Sequence, residues 1–411
     1  MKKFCLLLFL SSALLLSSCH KTEKNNYAKS YEVSLSEIVV KPAVDCSYKP
    51  SEDAEAFALK KIVFDYPTEN VAGEKVTASA AIMMTSSLYE SKSKAPLMVL
   101  VHHGAMTDNA EAPSVSETSD FLPLMSASTN AIAVEADLIG FGASKDETQA
   151  FAYGDVNAKT ALHALICARL WLSSEGFTWE DKLANVGFSQ GGQTAMHVQK
   201  IVDTDSFYGS NVNITKTFAG GGCYDINTVV DESIANYNPP LMPAVIWLGI
   251  ASYNALTGLG VSNSDVFVDE SILDGLLDKS HDMQPNMTGA GWDASLKSDM
   301  LNAESDIRKT IRSRMEDYNC FFTPKSTSKI LMFSDSNDDV VPTKNSDDLF
   351  DYFNKNGFTM TKIETGDEIS DFSADNVYIR YSTGTFGRGC HMTANAAFMV
   401  AVAAELARNW Q

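Results

Sequence analysis

The chain has 411 residues, 45% of them hydrophobic and 20% charged, a balance too apolar for a disordered polypeptide. Its 32 Lys and Arg stand against 52 Asp and Glu, a formal charge of −20 at pH 7. That excess argues against nucleic acid as a partner, because phosphate binding needs clustered cations to displace counterions, and it disfavours broad docking on an anionic membrane surface.

Lys2 and Lys3 precede an almost unbroken apolar run over 4–16. The run reads as the core of an export signal and is too short to span a bilayer, which takes about 20 residues. Leu16-Ser17-Ser18-Cys19 follows at once and resembles the lipobox of bacterial lipoproteins. The resemblance implies that Cys19 is lipidated and becomes the first mature residue, so the protein is expected to be exported and held at a membrane, with the outer membrane favoured. Residues 19–45 are expected to be the lipidated Cys and a tether. No later stretch approaches transmembrane length; the longest, 241–251, is interrupted by Pro243. Five cysteines remain beyond the anchor, so at least one has no partner within the chain. Cys167 reads as a core residue, while Cys223 and Cys320 bracket a long insertion and are candidates for a bridge at its base.

Further along, 56–66 and 75–84 read as strands joined by a turn near Asn70 to Gly73. Short apolar runs at 97–101, 131–136, 183–188, 214–219, 330–333 and 377–381 each end in a loop rich in Gly, Asp or His. Apolar residues at helical spacing over 156–172 and a helix-compatible stretch after Ser189 separate them. Apolar strands alternating with helices predict an α/β fold, a mostly parallel sheet covered on both faces, with its chemistry beyond the carboxyl ends of the strands. Residues 46–223 and 326–411 are expected to form the two parts of this core. Between them, 224–325 has Pro239, Pro240 and Pro243 but no strand alternation, and reads as a mostly helical lid. Its apolar stretch with Leu241, Met242, Val245, Ile246, Trp247 and Leu248 either lines an acyl pocket or packs the lid onto the core.

Gly187-Phe188-Ser189-Gln190-Gly191 fits the glycine-x-serine-x-glycine elbow, in which a sharp strand-to-helix turn exposes a serine hydroxyl. A hydroxyl needs a base to take its proton and a carboxylate to orient that base. In this architecture the chain order is Ser, acid, His. His197, His281 and His391 follow Ser189; His197 falls in the helix-compatible stretch directly after it, ahead of any acid in this order, and His281 falls in the insertion. His391 comes after the last strand, in what reads as a flexible loop, and is the expected base. Asp335, Asp338 and Asp339 follow the strand at 330–333; Asp338 is the preferred acid and Asp339 the runner-up. The run from Asp335 is not a calcium loop, since Val340 holds its sixth position and Ser346 its twelfth. Backbone amides of Gln190 and Ala105 are the expected oxyanion donors, with Met106 as a substitute for Ala105. His102 and His103 are expected to shape their loop. No metal and no cofactor is called for.

Taken together, these motifs resemble the α/β-hydrolase superfamily, and within it the secretory-lipase-like and related lidded serine esterases. The resemblance runs from about residue 58 to the end, through Asp65-Tyr66-Pro67-Thr68, His103-Gly104, Asp137 to Gly142 with Ser144, Gly187 to Gly192, Asp338 to Pro342 and Gly389 to His391. It implies a Ser189, His391 and Asp338 triad under a helical cap. Ser334-Asp335 departs from the His-Gly often found before the acid, and Cys390 precedes the His. The leading reading is a carboxylic ester hydrolase, lipase-like or acting on acylated glycans or small esters. A serine peptidase of the same fold is the second, and a non-catalytic surface lipoprotein the third.

Overall fold

A computed structural model of the chain describes residues 31–117, 121–235, 242–270 (backbone only for 242–246), 296–366, 372–382 and 390–410. The export signal and Cys19 lie outside the described residues. The strands in chain order are β1 (Val39–Val40), β2 (Val44–Tyr48), β3 (Phe57–Glu69), β4 (Lys75–Thr85), β5 (Met98–His102), β6 (Ile132–Ala136), β7 (Leu183–Phe188), β8 (Lys216–Gly220), β9 (Ile330–Asp335), β10 (Thr361–Glu364) and β11 (Val377–Tyr381). They form one sheet in the order β1-β3-β4-β6-β5-β7-β8-β9-β11-β10, with β2 on β3. From β6 to β10 every pairing is parallel; β4 joins β6, and β3 joins β4, antiparallel. This is the α/β-hydrolase fold.

Every residue of β5 to β9 is buried, as a sheet covered on both faces requires. Successive side chains point to opposite faces. Val99 and Val101 therefore belong to the cluster that holds Met125 and Phe398, from the helices Leu122–Thr129 and Cys390–Asn409. Met98 and Leu100 belong instead to the cluster that holds Leu162 and Leu165 of the helix Gly154–Ser174. The helix Cys390–Asn409 is long and apolar enough to cross a membrane, contrary to the expectation that no later stretch approaches that length. Its inner face packs on the sheet through Ala394, Phe398, Val402 and Leu406.

The folded unit begins earlier than the expected boundary at residue 46. Tyr31, Val33 and Ile38 are buried in the main core, and β1 pairs with β3. Tyr31 stacks on His163 at 3.6 Å and donates to the Pro67 carbonyl at 2.6 Å. Polar composition suggested a tether here, but three widely spaced apolar side chains are enough to seat the segment.

Between β8 and β9 lies the helical insertion, with helices Ile226–Ala235, Met242–Leu256, Asn263–Val266, Ser298–Leu301 and Asp306–Met315. Arg308 and Arg312 both donate to Asp231 and tie the last of these helices to the first. Trp247 and Leu248 are fully buried, and Trp247 stacks on Phe267 at 3.9 Å. These two residues of the apolar stretch thus pack the cap. Cys223 and Cys320 are both free thiols, so the candidate bridge is absent. The Cys320 amide does donate to the Tyr224 carbonyl at 2.7 Å, but the side chains face different clusters. Cys320 packs with Ala195 and Phe322, whereas Cys223 packs on Val229, Val340 and Val341.

Candidate active site

The parallel register brings the carboxyl ends of five strands into line. His102 of β5 pairs with Gly187 of β7, Phe188 with Gly220 of β8, Gly220 with Phe333 of β9, and Asp335 with Tyr381 of β11. The loops that follow therefore share one rim, and Ser189, Gln190, Ala105, Asp338 and His391 stand on it.

Ser189 occupies the turn between β7 and the helix Gln190–Thr204, with φ 58 and ψ −125. A side-chain-bearing residue in this region costs about 1–3 kcal/mol, so the surroundings must hold it there. One such hold is the Ser189 amide donating to the Gly220 carbonyl at 2.9 Å. The flanking glycines are required by close approach. A Cβ on Gly187 would stand 2.2 Å from the Gly191 carbonyl oxygen, and one on Gly191 would stand 2.1 Å from that of His102. Gln190 opens the helix, so its amide has no intrahelical acceptor and lies at the positive end of the helix dipole.

His391 is not in a loop, as the glycines before it suggested. It lies in the first turn of the helix Cys390–Asn409 and is buried. Its Nδ1 donates to Asp338 Oδ2 at 2.7 Å, and its ring packs on Phe188, the residue before Ser189, at 4.9 Å between centroids. Asp338 is itself held by two backbone amides, those of Val340 at 2.8 Å and Val341 at 2.7 Å, on Oδ1. Burial alone would lower the His391 pKa; the charge and hydrogen bond of Asp338, with Asp339 and Asp335 beyond, outweigh it and raise the pKa above its ordinary value. The other two candidate acids serve other atoms. Asp339 Oδ1 accepts the backbone amide of His391 at 2.9 Å, and Asp335 Oδ1 accepts that of Asn337 at 2.9 Å.

At the end of β5, His102 is buried with Nε2 2.7 Å from Asn185 Oδ1. Asn185 Nδ2 donates to the Ala195 carbonyl and to Thr217 Oγ1, so its oxygen faces His102 and the imidazole Nε2 must donate. Burial lowers the His102 pKa to about 4, which keeps the ring neutral. His103 lies 2.7 Å from the Gly104 carbonyl and 3.3 Å from that of Asp137. Both histidines brace the loop that carries Ala105.

A narrow cavity of about 50 Å³ lies beside Ser189, with Gln190 and Ala105 in its wall. The cap supplies Ile226, Val230 and Tyr253 on its far side. Sequence reasoning passed over Asn345, which anchors the base of the cap. Its Oδ1 accepts the amides of Tyr224 at 2.6 Å and Asp225 at 3.1 Å, while Nδ2 donates to the Gly222 carbonyl at 3.1 Å. Nothing local distinguishes this residue from any surface Asn on a helix.

The same fold occurs in solved structures. The rice cell wall degrading esterase LipA from Xanthomonas oryzae is 18% identical, with a TM-score of 0.74 over 91% of this chain and 99% of its own. A protein from Legionella pneumophila is 15% identical, with a TM-score of 0.72 over 90% and 99%. Lipase A from Candida antarctica, in its closed state, is 12% identical, with a TM-score of 0.53 over 84% and 76%. No protein-family model and no curated protein matches the chain.

Proposed function

We propose that the chain is a serine hydrolase that cleaves carboxylic esters. The observation that carries this reading is the 2.7 Å contact between His391 Nδ1 and Asp338 Oδ2 at the rim that also presents Ser189. In the reaction, Ser189 Oγ attacks the ester carbonyl while His391 Nε2 takes its proton. The amides of Gln190 and Ala105 receive the oxyanion. The imidazolium returns the proton to the departing alcohol, and water repeats the sequence on the acyl-enzyme. Two fold neighbours are named as an esterase and a lipase, which favours ester over amide substrates.

Ser189→Ala is expected to remain folded with ester hydrolysis near background. A panel of p-nitrophenyl esters beside aminoacyl p-nitroanilides tests the reading; amide turnover without ester turnover would replace it with a peptidase. The placement of Cys19 after an export signal supports a lipid anchor that holds this acidic protein at a membrane. Loss of detergent-phase partitioning in Cys19→Ala is the expected result, and retained partitioning refutes the anchor.

A further inference from the structure

Gly249 stands in the middle of the cap helix Met242–Leu256 and lines the cavity beside Ser189. Glycine inside a helix is unfavourable, because its backbone loses more freedom on folding than that of alanine. Close packing is one reason to keep it, as at Gly187 and Gly191, where a Cβ would strike a carbonyl. At Gly249 that reason is missing. The position is buried, yet a Cβ there would meet no atom within 4 Å among the described residues. The space that a side chain would fill is therefore the cavity's own.

That cavity has a volume of about 50 Å³. An apolar cavity of about 150 Å³ is enough to hold benzene, so this one has room for only a few carbon atoms. Its wall is nearly all apolar, with Phe151, Ile226, Val229, Val230, Met315 and Val341 around Gly249. The helix that carries Gly249 is also held in place. One turn on, Tyr253 stacks on Tyr153 at 4.2 Å and donates to the Ala152 carbonyl at 3.1 Å, and Trp247 is fully buried. Ser189 lines the cavity with Gln190 and Ala105, whose amides receive the oxyanion, and His391 does not line it. A leaving alcohol must receive its proton from His391, so it departs on the imidazole side and the cavity takes the acyl part.

We propose that the site selects esters of short, unsubstituted aliphatic acids, about two to four carbons long with the carbonyl included, and that the missing side chain of Gly249 sets this length. The carbons beyond the carbonyl lie over Gly249 and meet the apolar wall. This rests on Ser189 acting as the nucleophile. A methylene gained or lost in an apolar pocket changes kcat/KM by about tenfold or more, so a side chain at residue 249 acts on acyl length before it acts on anything else.

The test compares kcat/KM for p-nitrophenyl acetate, butanoate and octanoate. The wild-type protein is expected to prefer butanoate to octanoate by about tenfold or more. Gly249→Val places its methyl groups in the cavity and is expected to lower the butanoate-to-acetate ratio about tenfold; Gly249→Ala should lower it less, and serves should the valine variant fail to fold. Gly249→Ala should also raise the midpoint of thermal unfolding, since alanine is the better helix former where its Cβ has room. A lowered midpoint, or rates on acetate and butanoate that fall together and leave their ratio alone, would mark Gly249 as structural and overturn the proposal. Octanoate turned over as well as butanoate by the wild-type protein also overturns it, while leaving ester hydrolysis intact. Turnover of none of the three esters removes the underlying reading and the proposal with it.

Discussion

The Asp339 carboxylate accepts the backbone amide of His391 at 2.9 Å, from a loop 52 residues away in the chain. Helix amides in the first turn have no partner within the helix, and a carboxylate at that end also meets the favourable end of the dipole. Two neighbouring acids thus hold one histidine by different atoms. Asp339 seats its main chain, and Asp338 orients its ring.

Asp339→Ala is therefore expected to cost about 1 kcal/mol of stability, the usual worth of a helix cap, and to lower ester hydrolysis by less than a change at Asp338. Asp339→Asn keeps an acceptor and should fall between Asp339→Ala and the wild type. Denaturant unfolding and kcat/KM measured on both variants check this. Equal stability of Asp339→Ala and the wild type would show that the contact contributes nothing.

The raised His391 pKa has a pH consequence. A general base works only when neutral, so hydrolysis should fall as pH drops through a value above the usual ~6.5 of histidine. Asp338→Asn removes the charge that opposes burial, and the acid limb of kcat/KM should move to lower pH. Activity should drop by roughly 10³ to 10⁴, since the imidazole also loses its orienting partner. Stability follows the same linkage. A histidine whose folded pKa is raised adds stability below its unfolded pKa and loses it as pH rises through the folded one. The stability deficit of Asp338→Asn should accordingly be larger in mildly acidic buffer than in alkaline buffer, and a deficit that grows with pH would contradict the assignment.

Strain at Ser189 gives a third expectation. With φ at 58 and ψ at −125, any residue with a Cβ is strained there by about 1–3 kcal/mol. Glycine escapes that strain but gives up about 0.5–1 kcal/mol relative to alanine in unfolded-chain entropy. Ser189→Gly should thus be as inactive as Ser189→Ala yet more stable by up to about 2 kcal/mol. Parallel thermal unfolding of the two variants decides it, and a less stable glycine variant would count against stored strain at the turn.

Much of this fold was legible from local pattern. The runs at 183–188 and 330–333 appear as β7 and β9 because strands buried on both faces must be apolar throughout. The helix predicted over 156–172 spans Gly154–Ser174, and its stretch from Thr160 to Ala168 is buried on every side, as a helix apolar nearly all round requires. The short strand Thr361–Glu364 has no buried residue and left no such trace. At the site, Gly187 to Gly191 was visible because close backbone approach forbids a Cβ at two positions, a constraint written in residue type alone.

The sequence by itself determined the order of the buried core strands and the helices between them, the elbow at Ser189 and the late position of His391, since these depend on residue type and spacing. Only the tertiary structure decided which of three nearby acids meets the imidazole. It also decided that His391 opens a helix, that Tyr31 belongs to the core, and that Cys223 and Cys320 are not bridged. The physical reason is common to all of these. Each depends on which atoms meet across loops that are distant in the chain, and a hydrogen bond between residues 53 positions apart leaves no periodic mark on either side.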